Sequence, residues 1–106
     1  MPRYLLVVDY SSEGMAGALR EGGTARRTAL EAVLASVGGT LERMHFATEG
    51  TVYAIVSAPS DQAMAAAAWR PLAVGAVTNG RIVNLLTPEE VDEITKAPVD
   101  YQPPRR

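Results

Sequence analysis

The 106-residue sequence has no cysteine and only one histidine, and these two shortages exclude several kinds of chemistry. Without cysteine the chain has no disulfide framework, no thiolate metal site and no cysteine nucleophile. One histidine excludes a metal site built from several histidines of a single chain. We therefore predict no metal and no cofactor, so that any chemistry would rest mainly on oxygen atoms and arginine side chains.

Excess charge and long apolar runs are also missing. The chain has 10 basic and 12 acidic residues, a balance that argues against electrostatic binding of nucleic acid. No segment approaches the roughly 18–20 apolar residues needed to span a bilayer. The apolar run at Tyr4–Val8 ends at Asp9 and is too short for a signal peptide. We expect a cytoplasmic protein without nucleic-acid or membrane partners.

The length allows one domain with a modest core. Aromatic residues are only 6% of the chain and alanine is abundant, so the core should consist of small side chains. The alanine-rich run Ala63–Ala68 favours close packing between helices. We predict a single domain over residues 1–96 and an extended, proline-rich tail over residues 97–106.

Apolar periodicity and turn residues predict four strands and several helices. The strands are expected at 4–10, 40–47, 52–58 and 81–86. A short helix should follow Ser12, a longer one should begin after Thr24 and stop at Gly38-Gly39, and a third should run from Asp61 to about Arg70, before Pro71. Thr87-Pro88-Glu89-Glu90 predicts a capped terminal helix. Asn79-Gly80 could be a type I′ turn or a bulge, and we favour the bulge.

This order predicts an α+β fold, the ferredoxin-like βαββαβ sandwich with a short C-terminal helix, in which one sheet face carries the helices and the other is open. With a two-residue turn at Glu49-Gly50, strand alternation directs Arg43 and His45 toward the helices. The open face would then expose an apolar set too large for a soluble monomer: Leu5, Val7, Met44, Phe46, Tyr53 and Ile55. We predict a homodimer or larger oligomer in which two sheets pack face to face.

Several stretches of the chain also resemble the GYD family of small α/β proteins. They are Tyr4–Val8, Ser11–Gly14, Gly38–Leu41, Ala54–Pro59 and Thr87–Glu90, and together they extend the resemblance over about residues 4–94. The resemblance implies a dimeric α/β barrel of uncharacterised role. Thr48-Glu49-Gly50-Thr51 aligns with the naming Gly-x-Tyr-Asp motif, so Gly50 and Thr51 replace its tyrosine and aspartate. Asp9 and Ser57 stand where relatives tend to carry lysine and glutamate.

Candidate ligand-binding residues are polar side chains on or near the expected open face: Asp9, Glu42, Tyr53, Ser57 and Asn84. Asp9 and Ser57 could form a hydrogen-bonding pair in a barrel, where desolvation would raise the carboxyl pKa. His45, Arg26 and Arg27 rank lower, although the two arginines could hold an anionic ligand. Trp69 could close a pocket or anchor a helix end.

Two functions remain open from the sequence. The first, which we favour, is a structural or regulatory assembly module without chemistry. The second is binding of a small hydrophobic ligand between the sheets, with simple acid–base chemistry of the isomerase or cyclase kind. The sequence leaves open whether the protein is an enzyme.

Overall fold

The computed structural model describes residues 1–104 and contains four strands and four helices. In chain order the elements are β1 Arg3–Tyr10, α1 Ser12–Glu21, α2 Gly23–Ser36, β2 Thr40–Phe46, β3 Val52–Ser57, α3 Asp61–Ala73, β4 Val77–Leu85 and α4 Pro88–Lys96. The strands form one antiparallel sheet in the order β2-β3-β1-β4. This order and topology confirm the predicted ferredoxin-like α+β sandwich.

The core lies between the sheet and helices α2 and α3. Tyr4 and Leu6 of β1 alternate with outward-facing residues and are buried with Ala54 and Val56 of β3. Leu34 of α2 and two α3 residues, Met64 and Ala67, complete the buried cluster. These side chains are mostly small or aliphatic, as the scarcity of aromatic residues predicts.

Three predicted helix boundaries are confirmed by their capping contacts. Gly38 has φ +79°, and the N–H of Gly39 donates to the carbonyl of Leu34 at 2.8 Å, which is a Schellman ending for α2. Ser60 caps α3 by accepting from the N–H of Ala63. Thr87 caps α4 through a complete capping box with Glu90.

Three other helix boundaries differ from the prediction. Ser11, and not Ser12, caps α1 by accepting from the N–H of Gly14, so this helix begins at Ser12. Gly22 adopts φ +89° and turns the chain directly from α1 into α2, so α2 begins at Gly23 and not after Thr24. Helix α3 continues through Pro71 to Ala73. Pro71 lies in the last turn, where its missing N–H removes one helical hydrogen bond close to the end of the helix.

The register of β2 also differs from the prediction, because the hairpin loop is one residue longer. The N–H of Ala47 donates to the carbonyl of Thr51, which leaves three loop residues, 48–50, instead of two. A one-residue shift moves side chains to the other sheet face. Met44 and Phe46 therefore lie opposite Ala54 and Val52, on the helix-covered face.

The predicted membership of Met44 and Phe46 in the open face is thus wrong, and so is the inward placement of Arg43 and His45. Arg43 lies opposite Ile55, and His45 lies opposite Tyr53, on the open face. A β-bulge at position 42 restores the predicted inward placement of Leu41.

Asn79 and Gly80 lie inside the continuous strand β4, not in a turn. The register against β1 shifts between Asp9 and Tyr10, which pair with Asn79 and Val77, so Thr78 is the extra residue of a bulge. A bulge is therefore present, but at Thr78 and not at Asn79-Gly80, which pair regularly with Asp9 and Val8; β4 begins at Val77, earlier than predicted.

The C-terminal arm, residues 86–104, extends away from the sandwich. Helix α4 makes few contacts with the other elements. The radius of gyration is 17.1 Å, compared with about 13 Å for a compact domain of this length. Residues 97–104 of the predicted tail contain no helix or strand, and its two terminal arginines lie outside the described residues. No described helix has the length and hydrophobicity needed to cross a membrane.

Candidate functional site

The open face of the sheet is an apolar surface formed by alternate residues of β1, β3 and β4. Pairing places Leu5 between Ile55 and Val83, and the neighbouring pairs follow the same alternation. The apolar members of this open face are Leu5, Val7, Tyr53, Ile55, Val83 and Leu85. Tyr53 is 42% exposed, and the others are partly exposed. The two helices that cover the sheet core, α2 and α3, pack on the opposite face.

Two of the polar candidates on this face, Glu42 and Asp9, lie at opposite ends of it and are paired within the chain. At one end, Arg3 Nε binds Glu42 Oε2 at 2.8 Å, next to Ser57, which pairs with Arg3 in the sheet. At the other end, Thr51 Oγ1 donates to Asp9 Oδ1 at 2.7 Å.

Asp9 and Ser57 therefore do not meet. Since Ser57 pairs with Arg3, six residues of β1 separate them, or about 20 Å at strand spacing. The hydrogen-bonding pair suggested by the sequence is not formed within one chain. His45 and Tyr53 do meet, as directly opposed residues of β2 and β3.

Asn84 lies on the helix-covered face instead of the open face. Its Nδ2 is 3.4 Å from Asp61 Oδ1, and the same oxygen accepts a 2.7 Å hydrogen bond from the Tyr4 hydroxyl. This hydrogen bond, together with burial and the negative charge of Asp61, raises the pKa of Tyr4 above its usual 10.0. Asn84 thus belongs to a structural network at the start of α3.

A second candidate site lies on the other side of the sheet, between α2, α3 and the strands. It is an apolar cavity of about 170 Å³. Its walls come from every layer of the sandwich and include Val8, Leu30, Val33, Met44, Ala68 and Ile82. Trp69, which is 67% exposed, and Leu72 also line it. The cavity is separate from Asp9 and Tyr53, which lie on the open face.

Arg26 is the one cationic residue among the described lining of this cavity. Its Nη1 binds Glu21 Oε1 at 3.1 Å, and its guanidinium carbon lies 5.8 Å from the centre of the Tyr10 ring. Tyr10, with a smaller contribution from Glu21, raises the pKa of Arg26 above its ordinary value, so the guanidinium stays charged. The Nε atom is buried without a hydrogen-bond partner among residues 1–104.

Arg26 and Arg27 are therefore separated in role, because neighbouring residues of a helix face different directions. Arg27 is exposed and does not line the cavity.

The prediction of close helix packing from the alanine run missed the cavity. Helices α2 and α3 touch only slightly, and small side chains such as Ala67 and Ala68 leave space between them. The sequence did contain a signal: Arg26 is a charged residue one helical turn before Leu30, and both line the cavity.

Among the described residues, no cluster of three or more histidine or acidic side chains could hold a metal ion.

The fold and these surfaces define a small ferredoxin-like sandwich with one helix-covered and one open sheet face. The model of the GYD domain family matches residues 4–95, and the chain belongs to this family. This match confirms the resemblance drawn from the sequence. A comparison with curated proteins gives no match.

Proposed function

We propose that this GYD-domain chain is an assembly module that forms a homodimer through its open sheet face. The observation that carries the proposal is the continuous apolar surface across β3, β1 and β4. Apolar patches of this kind on soluble proteins mark interaction sites. A twofold dimer would place the same surface on both partners, and two sheets can pack face to face about 10 Å apart.

The arrangement of the polar residues supports packing more than positioned chemistry. Glu42 is paired with Arg3, and Asp9 with Thr51, so the carboxylates already have partners. Both pairs lie at the ends of the strands and leave the centre of the face to Leu5 and other apolar side chains. A ligand held between the sheets, the second function open from the sequence, would find its polar groups mainly on the outer strands: Arg43 and His45 of β2 and Arg81 of β4.

The C-terminal arm supplies further apolar surface for the same dimer. Four strands about 4.8 Å apart and about 20 Å long give a flat footprint of roughly 400 Å², whereas a standard interface buries about 800 Å² per partner. Helix α4 exposes Val91 and Ile94 on one side and carries four acidic residues. Its negative charge suits the open-face arginines of a second copy, Arg43 and Arg81, so we propose that the arm reaches across the partner.

The test is the molar mass of the full chain in solution, with a variant that charges the open face. At tens of micromolar, light scattering after gel filtration should give twice the 11.3 kDa of one chain. Ile55→Glu should give the monomer, because the dimer would press two carboxylates into an apolar interface. The variant should remain folded, since Ile55 lies on the open face and outside the buried core cluster.

Val74→Glu is the matched control. Val74 is 77% exposed and follows α3, away from the open face, so the same substitution there should leave the dimer intact. Far-UV circular dichroism of both variants verifies the fold. A monomeric wild-type chain, or equal effects of the two substitutions on the mass, would refute the proposed interface.

A further inference from the structure

The cavity between α2, α3 and the sheet combines an apolar interior with one charged group whose hydrogen-bonding capacity is incomplete. Nearly all of its lining is aliphatic, aromatic or alanine, and the exceptions include Arg26 and Asn79. A buried guanidinium N–H without a partner is unfavourable, because the group has lost water and gained nothing in return. The Nε of Arg26 is in this state among the described residues.

The contacts of Arg26 leave one edge of its guanidinium for a further anion. Glu21 occupies Nη1 and Tyr10 lies beside the planar group. Nε and Nη2 form the side of the fork that a carboxylate engages with two parallel hydrogen bonds. The acceptor best suited to this edge is therefore a second carboxylate, and because protein atoms cover Nε, the side chains around it must shift for both hydrogen bonds to form.

The size of the cavity limits the rest of the ligand. Its volume is about 170 Å³, and an apolar cavity of about 150 Å³ binds benzene. One aromatic ring or a short branched acyl chain would fill it. Trp69 and Leu72, both exposed apolar residues of α3, lie where the cavity meets solvent.

We propose that this cavity binds a small apolar monocarboxylate, with the ring or acyl chain between the helices and the carboxylate on Arg26. The site is independent of the open face, because the sheet separates the two. Its ligand would differ in position and chemistry from a hydrophobic molecule held between two sheets.

Benzoate is the probe for this site, and benzamide is its uncharged match in shape. Trp69 is the only tryptophan of the chain and lines the cavity, so its fluorescence reports binding directly. Benzoate should change the emission in a saturable way and bind about tenfold or more tightly than benzamide, because a charge-assisted pair replaces a neutral hydrogen bond. Amide NMR shifts should move at Ala29 and Ala68 and not at Leu5.

Separate substitutions test the contribution of the Arg26 charge and that of the cavity volume to binding. Arg26→Gln should weaken benzoate binding about tenfold and abolish the preference over benzamide, whereas Arg27→Gln should change affinity less than about twofold. Ala68→Leu adds bulk within the cavity and should weaken both probes while Arg26 is intact. This second variant keeps the test decisive if Arg26→Gln does not fold.

Several outcomes would overturn the proposal. They are equal affinities for benzoate and benzamide, equal effects of Arg26→Gln and Arg27→Gln, and no saturable change in Trp69 emission. Shifts confined to open-face amides would assign the ligand to the sheet interface instead. A fall in benzoate affinity at higher protein concentration would indicate that a second copy of the chain occupies the cavity.

Discussion

Removal of the Tyr4 hydroxyl should destabilise the domain measurably, although the aromatic ring stays in place. Tyr4 is 1% exposed, and its hydroxyl donates to Asp61 Oδ1 at 2.7 Å. The bond joins the central strand β1 to the first turn of α3, where the negative charge of Asp61 also suits the helix dipole. Tyr4→Phe deletes one oxygen atom and leaves the apolar contacts of the ring with the core.

The size of the effect follows from the charge and exposure of the partners. A hydrogen bond to a charged group contributes about 1.5–3 kcal/mol to stability. Asp61 is exposed and regains water when Tyr4 loses its hydroxyl, which favours the lower end, about 1.5 kcal/mol. For a domain of about 100 residues this corresponds to a fall in Tm of roughly 6–10 °C.

Urea unfolding at neutral pH measures the free energy, with Tyr101→Phe as the control. Tyr101 is 70% exposed in the C-terminal arm, so the same deletion there should have little effect. A double-mutant cycle with Asp61→Ala should recover most of the loss as coupling between the two residues. Equal stabilities of Tyr4→Phe and wild type, or a coupling near zero, would refute the assignment.

The raised pKa of Tyr4 gives the same bond a pH signature. The protonated hydroxyl is the form that the fold stabilises, so its contribution is fully present below pH 10 and is lost as the pH rises through the raised pKa. The stability difference between wild type and Tyr4→Phe should therefore be constant near neutral pH and shrink in alkaline solution. A difference that grows above pH 10 would contradict this sign.

Two further predictions concern helices α1 and α4. A Cβ at Gly14 would overlap the carbonyl oxygen of Ala76, so Gly14→Ala should destabilise the fold by about 1–3 kcal/mol. Gly17 has space for a Cβ, so Gly17→Ala should stabilise the fold by up to about 1 kcal/mol. Thermal unfolding temperatures that move in the same direction for both variants would refute this contrast. Hydrogen bonds from the backbone and side chain of Thr87 lower the pKa of Glu90 below its usual 4.5. The helical amide shifts of α4 should therefore persist above pH 4.5 and be lost as the pH falls through the lowered pKa of Glu90. A carboxyl NMR titration of the wild-type chain that shows no lowering of the Glu90 pKa would contradict that cause.

Local patterns in the sequence were sufficient to predict the topology of the fold. Strand and helix order, the capping box at Thr87 and the Schellman ending at Gly38 depend on residues close together in the chain, so their physics can be read locally. The family resemblance was confirmed on the same elements. The exposed surfaces were harder to predict, because they depend on register and on distances between elements.

A single loop residue explains the main error on the open face. The three-residue loop at 48–50 turned Met44 and Phe46 inward and His45 outward, and sequence alternation alone cannot distinguish it from a two-residue turn. The cavity at Arg26 was missed for a different reason. An alanine-rich helix face predicts close packing, but the actual gap depends on where α2 and α3 settle on the sheet.

The absence of cysteine allows the most direct measurement of the central claim, that the open face joins two copies of the chain. A spin label on an introduced Arg81→Cys at the edge of this face would report one distance across the dimer. Face-to-face sheets about 10 Å apart and about 20 Å across place the two labelled backbones within roughly 30 Å. A label at Ala32→Cys, on the exposed side of α2, should give a longer distance. No dipolar signal at tens of micromolar, or a shorter distance from position 32 than from position 81, would contradict the account.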